Sequence, residues 1–173
     1  YLGAAEYAAS TGQLEQARDM LEKGLAVESR DDLKISLARI LARQGEFNDA
    51  EQRYQELLAA TPNSALIHND LGMLYDQMEQ KDRSEYHFDQ ACIHDPGNRR
   101  YQTNLATRLI QEDRFDEARQ KLMEGVDAQT ADLTIYSLLR QQGRMDAATQ
   151  YWQSARRQIC LLYTSDAADE ERG

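Results

Sequence analysis

Three histidines, His68, His87 and His94, and one cysteine, Cys92, are the residues in the body of this chain with the greatest capacity for chemistry. A zinc site needs ligands on one helix face at i, i+3 or i+4, or a second fixed pair across from the first. His87 falls off the face that carries Phe88 and is expected to be solvated. His94 precedes Asp95-Pro96 and is expected to cap a helix C-terminus, where a cation suits the dipole. His68 falls on a packing face. Cys92 and His94 offer no second pair at ligand spacing, so no metal and no other cofactor is expected. A nucleophilic cysteine needs a neighbouring base, yet the places equivalent to Cys92 hold Leu58 and Val126, which reads as a small buried hydrophobe. No Gly-x-Ser-x-Gly, Walker or Gly-x-Gly-x-x-Gly pattern occurs. The acid pairs Glu112-Asp113 and Asp116-Glu117 fall at a turn and a first helical turn, where carboxylates favour the helix dipole. The chain is not expected to be an enzyme.

The elements that would position these residues are helices. The 173 residues are 41% hydrophobic with a formal net charge of -10. That is apolar enough for a core, and too acidic to favour a phosphate backbone as partner. Apolar runs such as Leu57-Leu58-Ala59-Ala60 are too short to cross a bilayer. The only two prolines, Pro62 and Pro96, each follow a helical pattern and open a short polar turn.

The order is repetitive. A turn signal recurs as Thr11-Gly12-Gln13-Leu14, Gln44-Gly45-Glu46-Phe47, Glu112-Asp113-Arg114-Phe115 and Gln142-Gly143-Arg144-Met145, with Gln77 to Lys81 as the link of the central copy. A small residue follows in each unit: Ala17, Ala50, Ser84, Ala118 and Ala148. A larger one comes one turn later: Leu21, Tyr54, Phe88, Leu122 and Trp152. First-helix stripes such as Leu71, Gly72 and Tyr75, or Leu105, Ala106 and Leu109, have the spacing of an amphipathic helix. Small residues let helix axes approach and large ones fill the space opposite. One helix pair cannot bury its own face, so neighbours must stack.

Residues 65–98 carry Leu71-Gly72, Tyr75, Phe88, Ala91 and Pro96 in one frame, and so resemble the tetratricopeptide repeat family. His68 stands where that family has an aromatic, and Ser84 where it has alanine. The resemblance implies an all-α fold: a right-handed α-solenoid of about five antiparallel helix pairs over 1–159, with units near 1–30, 31–64, 65–98, 99–128 and 129–159. It also implies a protein-interaction scaffold whose first helices line a concave groove. The groove set is Ile35, Arg39, Arg43, Asn69, Met73, Gln77, Arg100, Thr103, Thr107 and Gln111, with Ile110 projecting alongside. Arg39 and Arg43 are expected to meet an acidic residue of a partner segment. The alternative surface is second-helix, through Arg53, Glu56, His87 and Gln90. The carboxylate clamp of chaperone-binding relatives is not expected, because Asp70 and Ile35 stand at two of its places.

Cys160 to Glu170 resembles one reading frame of a transposase sequencing adapter, so 160–173 is expected to be a non-native tail that packs poorly, with helix running on through Leu161 and Leu162. The natural part then reads as a fragment of a longer, bacterial-type protein, of cytoplasm or periplasm. The partner is expected to be a protein, with no nucleic acid and no membrane contact, and with self-association through uncapped ends. Two other readings stay open: the repeat arm of a longer enzyme, and an assembly factor of a bacterial secretion or pilus system.

Overall fold

The computed structural model describes the backbone of residues 1–170 and the side chains of 1–158. Ten helices and no strand are present among the described residues: α1 (Leu2–Ser10), α2 (Leu14–Val27), α3 (Asp31–Gln44), α4 (Phe47–Ala60), α5 (Ala65–Gln77), α6 (Lys81–His94), α7 (Arg99–Gln111), α8 (Phe115–Met123), α9 (Ala128–Gln141) and α10 (Met145–Glu170). The chain divides into two compact units, Tyr1–Asp95 and Pro96–Gly173. The first holds α1 to α6 and the second α7 to α10.

Each helix pair turns on one left-handed residue: Gly12, Gly45, Glu79, Asp113 and Gly143, with φ of 81°, 83°, 58°, 62° and 73°. Glycine takes this conformation without a Cβ penalty, whereas Glu79 and Asp113 pay one. Links therefore fall at the expected places. Lys81 is a small exception, since it is the first residue of α6 rather than part of the link. Of the helices that follow an inter-pair turn, α5, α7 and α9 are capped by short polar side chains, whereas α3, behind Arg30, has no side-chain cap. Ser64 accepts from the Ile67 N–H, Asn98 from the Arg100 N–H and Asp127 from the Thr130 N–H.

In the first unit the core runs through α1 to α6. Ala17, Ala50 and Ser84 are fully buried, and Leu21, Tyr54 and Phe88 nearly so. Ser84 replaces the usual alanine without stranding its hydroxyl, because Oγ donates to the Gly72 carbonyl at 2.9 Å. In the second unit Leu105, Leu109, Ala118, Leu122, Ile135 and Leu139 form the equivalent core. Helix α8 has nine residues where α2, α4 and α6 have 14. The link from α8 to α9 is as long as those from α4 to α5 and from α6 to α7, so the closer spacing of Ala118 and Ala148 comes out of helix α8 and not out of the loop.

The last large residue departs from the expectation. Trp152 is 44% exposed, while its neighbour Tyr151 is buried. Trp152 instead leans on Tyr136, with ring centroids 5.4 Å apart. In the other pairs the equivalent side chain is covered, but α10 is the last helix described. Helix α10 continues unbroken past Leu161 and Leu162, while the packing expected of the 160–173 tail lies outside the described side chains. No helix among the described residues is long and apolar enough to cross a membrane.

Candidate partner-binding surface

The first helices of the unit Tyr1–Asp95 build a cleft of about 260 Å³. Ala5, Ala9, Leu21 and Ile40 form an apolar floor, Ser10 and Ser36 add hydroxyls, and Glu6, Arg39 and Arg43 supply charge. Alanines on α1 make this space, because α1 and α3 meet there without bulky side chains between them.

The two arginines are not equivalent, which the sequence does not reveal. Arg39 Nε donates to Asp70 Oδ2 at 2.7 Å, and the Asp70 side chain is only 4% exposed. Burial disfavours the charged guanidinium, but the Asp70 bond and charge outweigh it and raise the Arg39 pKa. Tyr54 lies against the same pair, and its phenol is pushed up by burial and by the Asp70 charge. Arg39 is thus a structural cation, committed to an internal acid rather than waiting for a partner's. Arg43 is exposed and donates through Nη2 to the Ala9 carbonyl at 3.0 Å, which caps α1. Its fork holds further N–H groups able to donate to a carboxylate.

The remaining groove residues divide. Met73 is 39% exposed, Gln77 is exposed and Ile35 is half-buried against the core. Asn69 is fully buried, its amide directed to Asp70 Oδ1 at 3.4 Å and Met73 Sδ at 3.7 Å. It belongs to the packing beneath the surface, not to the surface. In the other unit Arg100 and Gln111 are exposed on α7, while Thr103 and Thr107 are half-buried and donate to the Arg99 and Thr103 carbonyls at 2.7 Å. Their hydroxyl protons are spent within the helix, so toward a partner they can only accept. Ile110 is buried outright.

The histidines are gathered, contrary to the sequence reading. His68 is buried and its Nε2 lies 3.0 Å from the Pro62 carbonyl. A carbonyl only accepts, so Nε2 carries the proton and Nδ1 of the neutral ring is an acceptor. His87 Nδ1, at 2.9 Å, must then be the donor. His87 is therefore half-buried and bonded rather than solvated, packed against Tyr75 and edge-on to Tyr86. Burial, with repulsion from His68 and Arg83, lowers its pKa to about 4. The His94 ring lies 5.5 Å from His68 rather than standing alone at the helix end. Among the described residues no three His, Cys, Asp or Glu side chains converge to hold a metal. Gln102 repeats the His68 device in the second unit, donating from Nε2 to the Pro96 carbonyl at 2.6 Å. A buried polar residue at this place serves the inter-pair turn.

Asp132 is a further polar group that sequence reading missed. It is fully buried and receives Arg119 Nε at 2.5 Å, Ser154 Oγ at 2.7 Å and Gln158 Nε2 at 3.0 Å. Donors from α8 and α10 satisfy it, so it ties those helices to α9.

Residues 8–74 match the family model described as tetratricopeptide repeat. That stretch carries tetratricopeptide repeats. Over 75 residues, 43% of this chain, it is 31% identical to cell division cycle protein 27 homolog A of Arabidopsis thaliana, and it spans 10% of that relative's length. The tetratricopeptide fold extends further than these matches. A structure of MamA (AMB-1) is 21% identical, with 90% of this chain and 95% of that chain covered at a TM-score of 0.61. The pilF structure from Pseudomonas aeruginosa is also 21% identical, with 91% and 74% covered at a TM-score of 0.66. A further MamA structure, 15% identical, covers 95% of this chain and 99% of its own at 0.64. At such identities the likeness is one of fold.

Proposed function

We propose that this tetratricopeptide-repeat chain is a protein-interaction scaffold that holds an apolar, acid-bearing segment of a partner protein against its first helices. The cleft between α1 and α3 carries this reading. Its floor is apolar, its volume of about 260 Å³ accommodates a leucine- or phenylalanine-sized side chain, and the exposed Arg43 stands at its edge. An apolar pocket with one charged anchor is the usual composition of a recognition site. Met73 and Gln77 extend the surface on α5, and Arg100 and Gln111 present a first-helix surface of their own on α7.

The test is selection of a displayed library of random linear peptides on the intact chain. Enrichment of an apolar residue beside Asp or Glu, lost when the bait carries Arg43→Glu, supports the reading. Enriched peptides that bind Arg43→Glu as they bind the wild type contradict it.

A further inference from the structure

The second helices α2, α4, α6, α8 and α10 share a frame set by the fully buried small residues Ala17, Ala50, Ser84, Ala118 and Ala148. Two residues past each of these lies a position that is exposed in every pair: Asp19, Gln52, Tyr86, Gln120 and Gln150. Nine residues past it, Ala26, Ala59 and Ile93 are likewise exposed in α2, α4 and α6. Stacked pairs therefore leave this face of a second helix open, wherever the pair stands in the array. The other helices give the face polar or small side chains. Among the described residues only α6 gives it two large apolar ones, Tyr86, 58% exposed, and Ile93, 57% exposed. They lie seven residues apart and so share one side of the helix.

We infer that this face of α6 is a second interaction surface, which holds an amphipathic helix of a partner protein with apolar residues against Tyr86 and Ile93 and with lysine or arginine along one edge. The charge pattern names the occupant. Asp82 stands four residues before Tyr86 and Asp89 four before Ile93, with Glu85 on the same edge, so that edge of the stripe is acidic. Arg83 is engaged elsewhere: its guanidinium lies over the Tyr75 ring, 3.8 Å from the centroid, and donates to Glu51 Oε1 at 2.7 Å. Tyr86 is held ready for contact. Its ring is edge-on to His87 with centroids 5.1 Å apart, and His87 is fixed in turn by His68 and Tyr75. An aromatic side chain fixed in this way loses little freedom on binding and makes a good anchor. A second copy of the chain does not suit the face. A twofold crossing that set Tyr86 on Ile93 of the other copy would bring the two Asp89 carboxylates together near the axis. The same acids oppose an anionic lipid surface. The face is separate from the α1–α3 cleft, none of whose lining residues lies on α6.

A displayed library of single helices randomised on one face tests this, with the full 173-residue chain as bait. Clones that also bind the Tyr86→Ser, Ile93→Ser double variant are removed, which discards any that use the cleft. The clones kept should carry apolar residues seven apart and lysine or arginine on one edge. As synthetic peptides they should bind Tyr86→Ser alone and Ile93→Ser alone at least about tenfold more weakly than the wild type. Asp82→Lys with Asp89→Lys should weaken them as much, and Arg43→Glu should bind them as the wild type does. Both apolar residues are exposed, so helical circular dichroism should be the same in each variant. No clone left after the subtraction, clones without basic residues, binding that survives the α6 variants, or binding lost in Arg43→Glu would each overturn the inference. So would self-association in sedimentation velocity, or flotation with phosphatidylserine vesicles, that Ile93→Ser abolishes, since the face would then belong to a second copy or to a membrane.

Discussion

The Phe88 ring lies directly over Gly72, so close that a Cβ added to Gly72 would sit 2.5 Å from ring carbon Cδ1. The glycine on α5 and the large ring on α6 are one device: the missing side chain of one is the space of the other. Phe88 is 4% exposed, and Phe88→Ala should cost about 3–5 kcal/mol in a denaturant titration. Gly72→Ala should also destabilise, and combining it with Phe88→Leu should recover part of the loss. Independent, additive effects would show that the two do not share this space.

Much of this arrangement is legible in the sequence, because it depends on local spacing. The separation of Pro62 from Pro96, the small residue in each second helix and the larger one a turn later all report helix periodicity, and four of the five large positions are core, Trp152 being the exception. What spacing cannot show is which distant polar groups meet. Arg39 lies off the packing stripe and reads as free, but its carboxylate partner is 31 residues away on another helix. Asn69 reads as a surface amide by the same logic and is buried beneath that pair. His87 reads as solvated because its bonding partner, His68, is on α5. Trp152 reads as core because its position is core in every earlier pair.

Removing Arg39 should therefore damage stability before it damages recognition. Arg39→Ala leaves the buried Asp70 carboxylate without its cation. The loss should be about 2 kcal/mol, below the usual figure for a buried pair because Arg39 itself is 42% exposed on its side chain. Asp70→Asn in the Arg39→Ala background should restore most of it. Arg43→Ala, which loses only the bond to the Ala9 carbonyl, should lower the melting temperature less than Arg39→Ala does. Equal destabilisation by Arg39→Ala and Arg43→Ala would show that the Asp70 bond is not special.

Glu79 holds φ of 58° at the turn between α5 and α6, where three of the other four pairs use glycine. Glu79→Gly removes the Cβ penalty at the cost of a more flexible unfolded chain, and the balance should be a gain of about 0.5–1 kcal/mol. Asp113→Gly should gain less, because Asp113 pairs with Arg144. A loss of stability in Glu79→Gly, measured by urea titration, would contradict the backbone account.

The histidine pair predicts acid sensitivity. His87 is lowered from 6.5 to about 4 in the folded chain, first by burial and then by the charges of His68 and Arg83, with Glu51 opposing. His68 is lowered too, by burial first, with the His94 charge adding to it and the Pro62 carbonyl opposing. The unfolded chain therefore binds more protons between these limits, and stability falls as pH drops from about 6.5 towards 4. The His87 share should be about 2 kcal/mol once solvent screening is allowed for. His87→Gln should flatten that slope of melting temperature against pH. Nitrogen-detected imidazole spectra at pH 7 should show His68 protonated at Nε2 and His87 at Nδ1, and the reverse assignment would contradict the bonding scheme.

The proposed recognition site is the α1–α3 cleft, with Arg43 as its charged anchor. The direct measurement is fluorescence anisotropy of one display-selected peptide titrated with the wild type, Arg43→Glu and the second-helix variant Arg53→Glu, with circular dichroism on each. Arg43→Glu should weaken binding at least about tenfold, the loss of one charge-assisted contact, while Arg53→Glu should bind as the wild type does. Unchanged affinity in Arg43→Glu together with weakened binding in Arg53→Glu would place recognition on the second helices and contradict it.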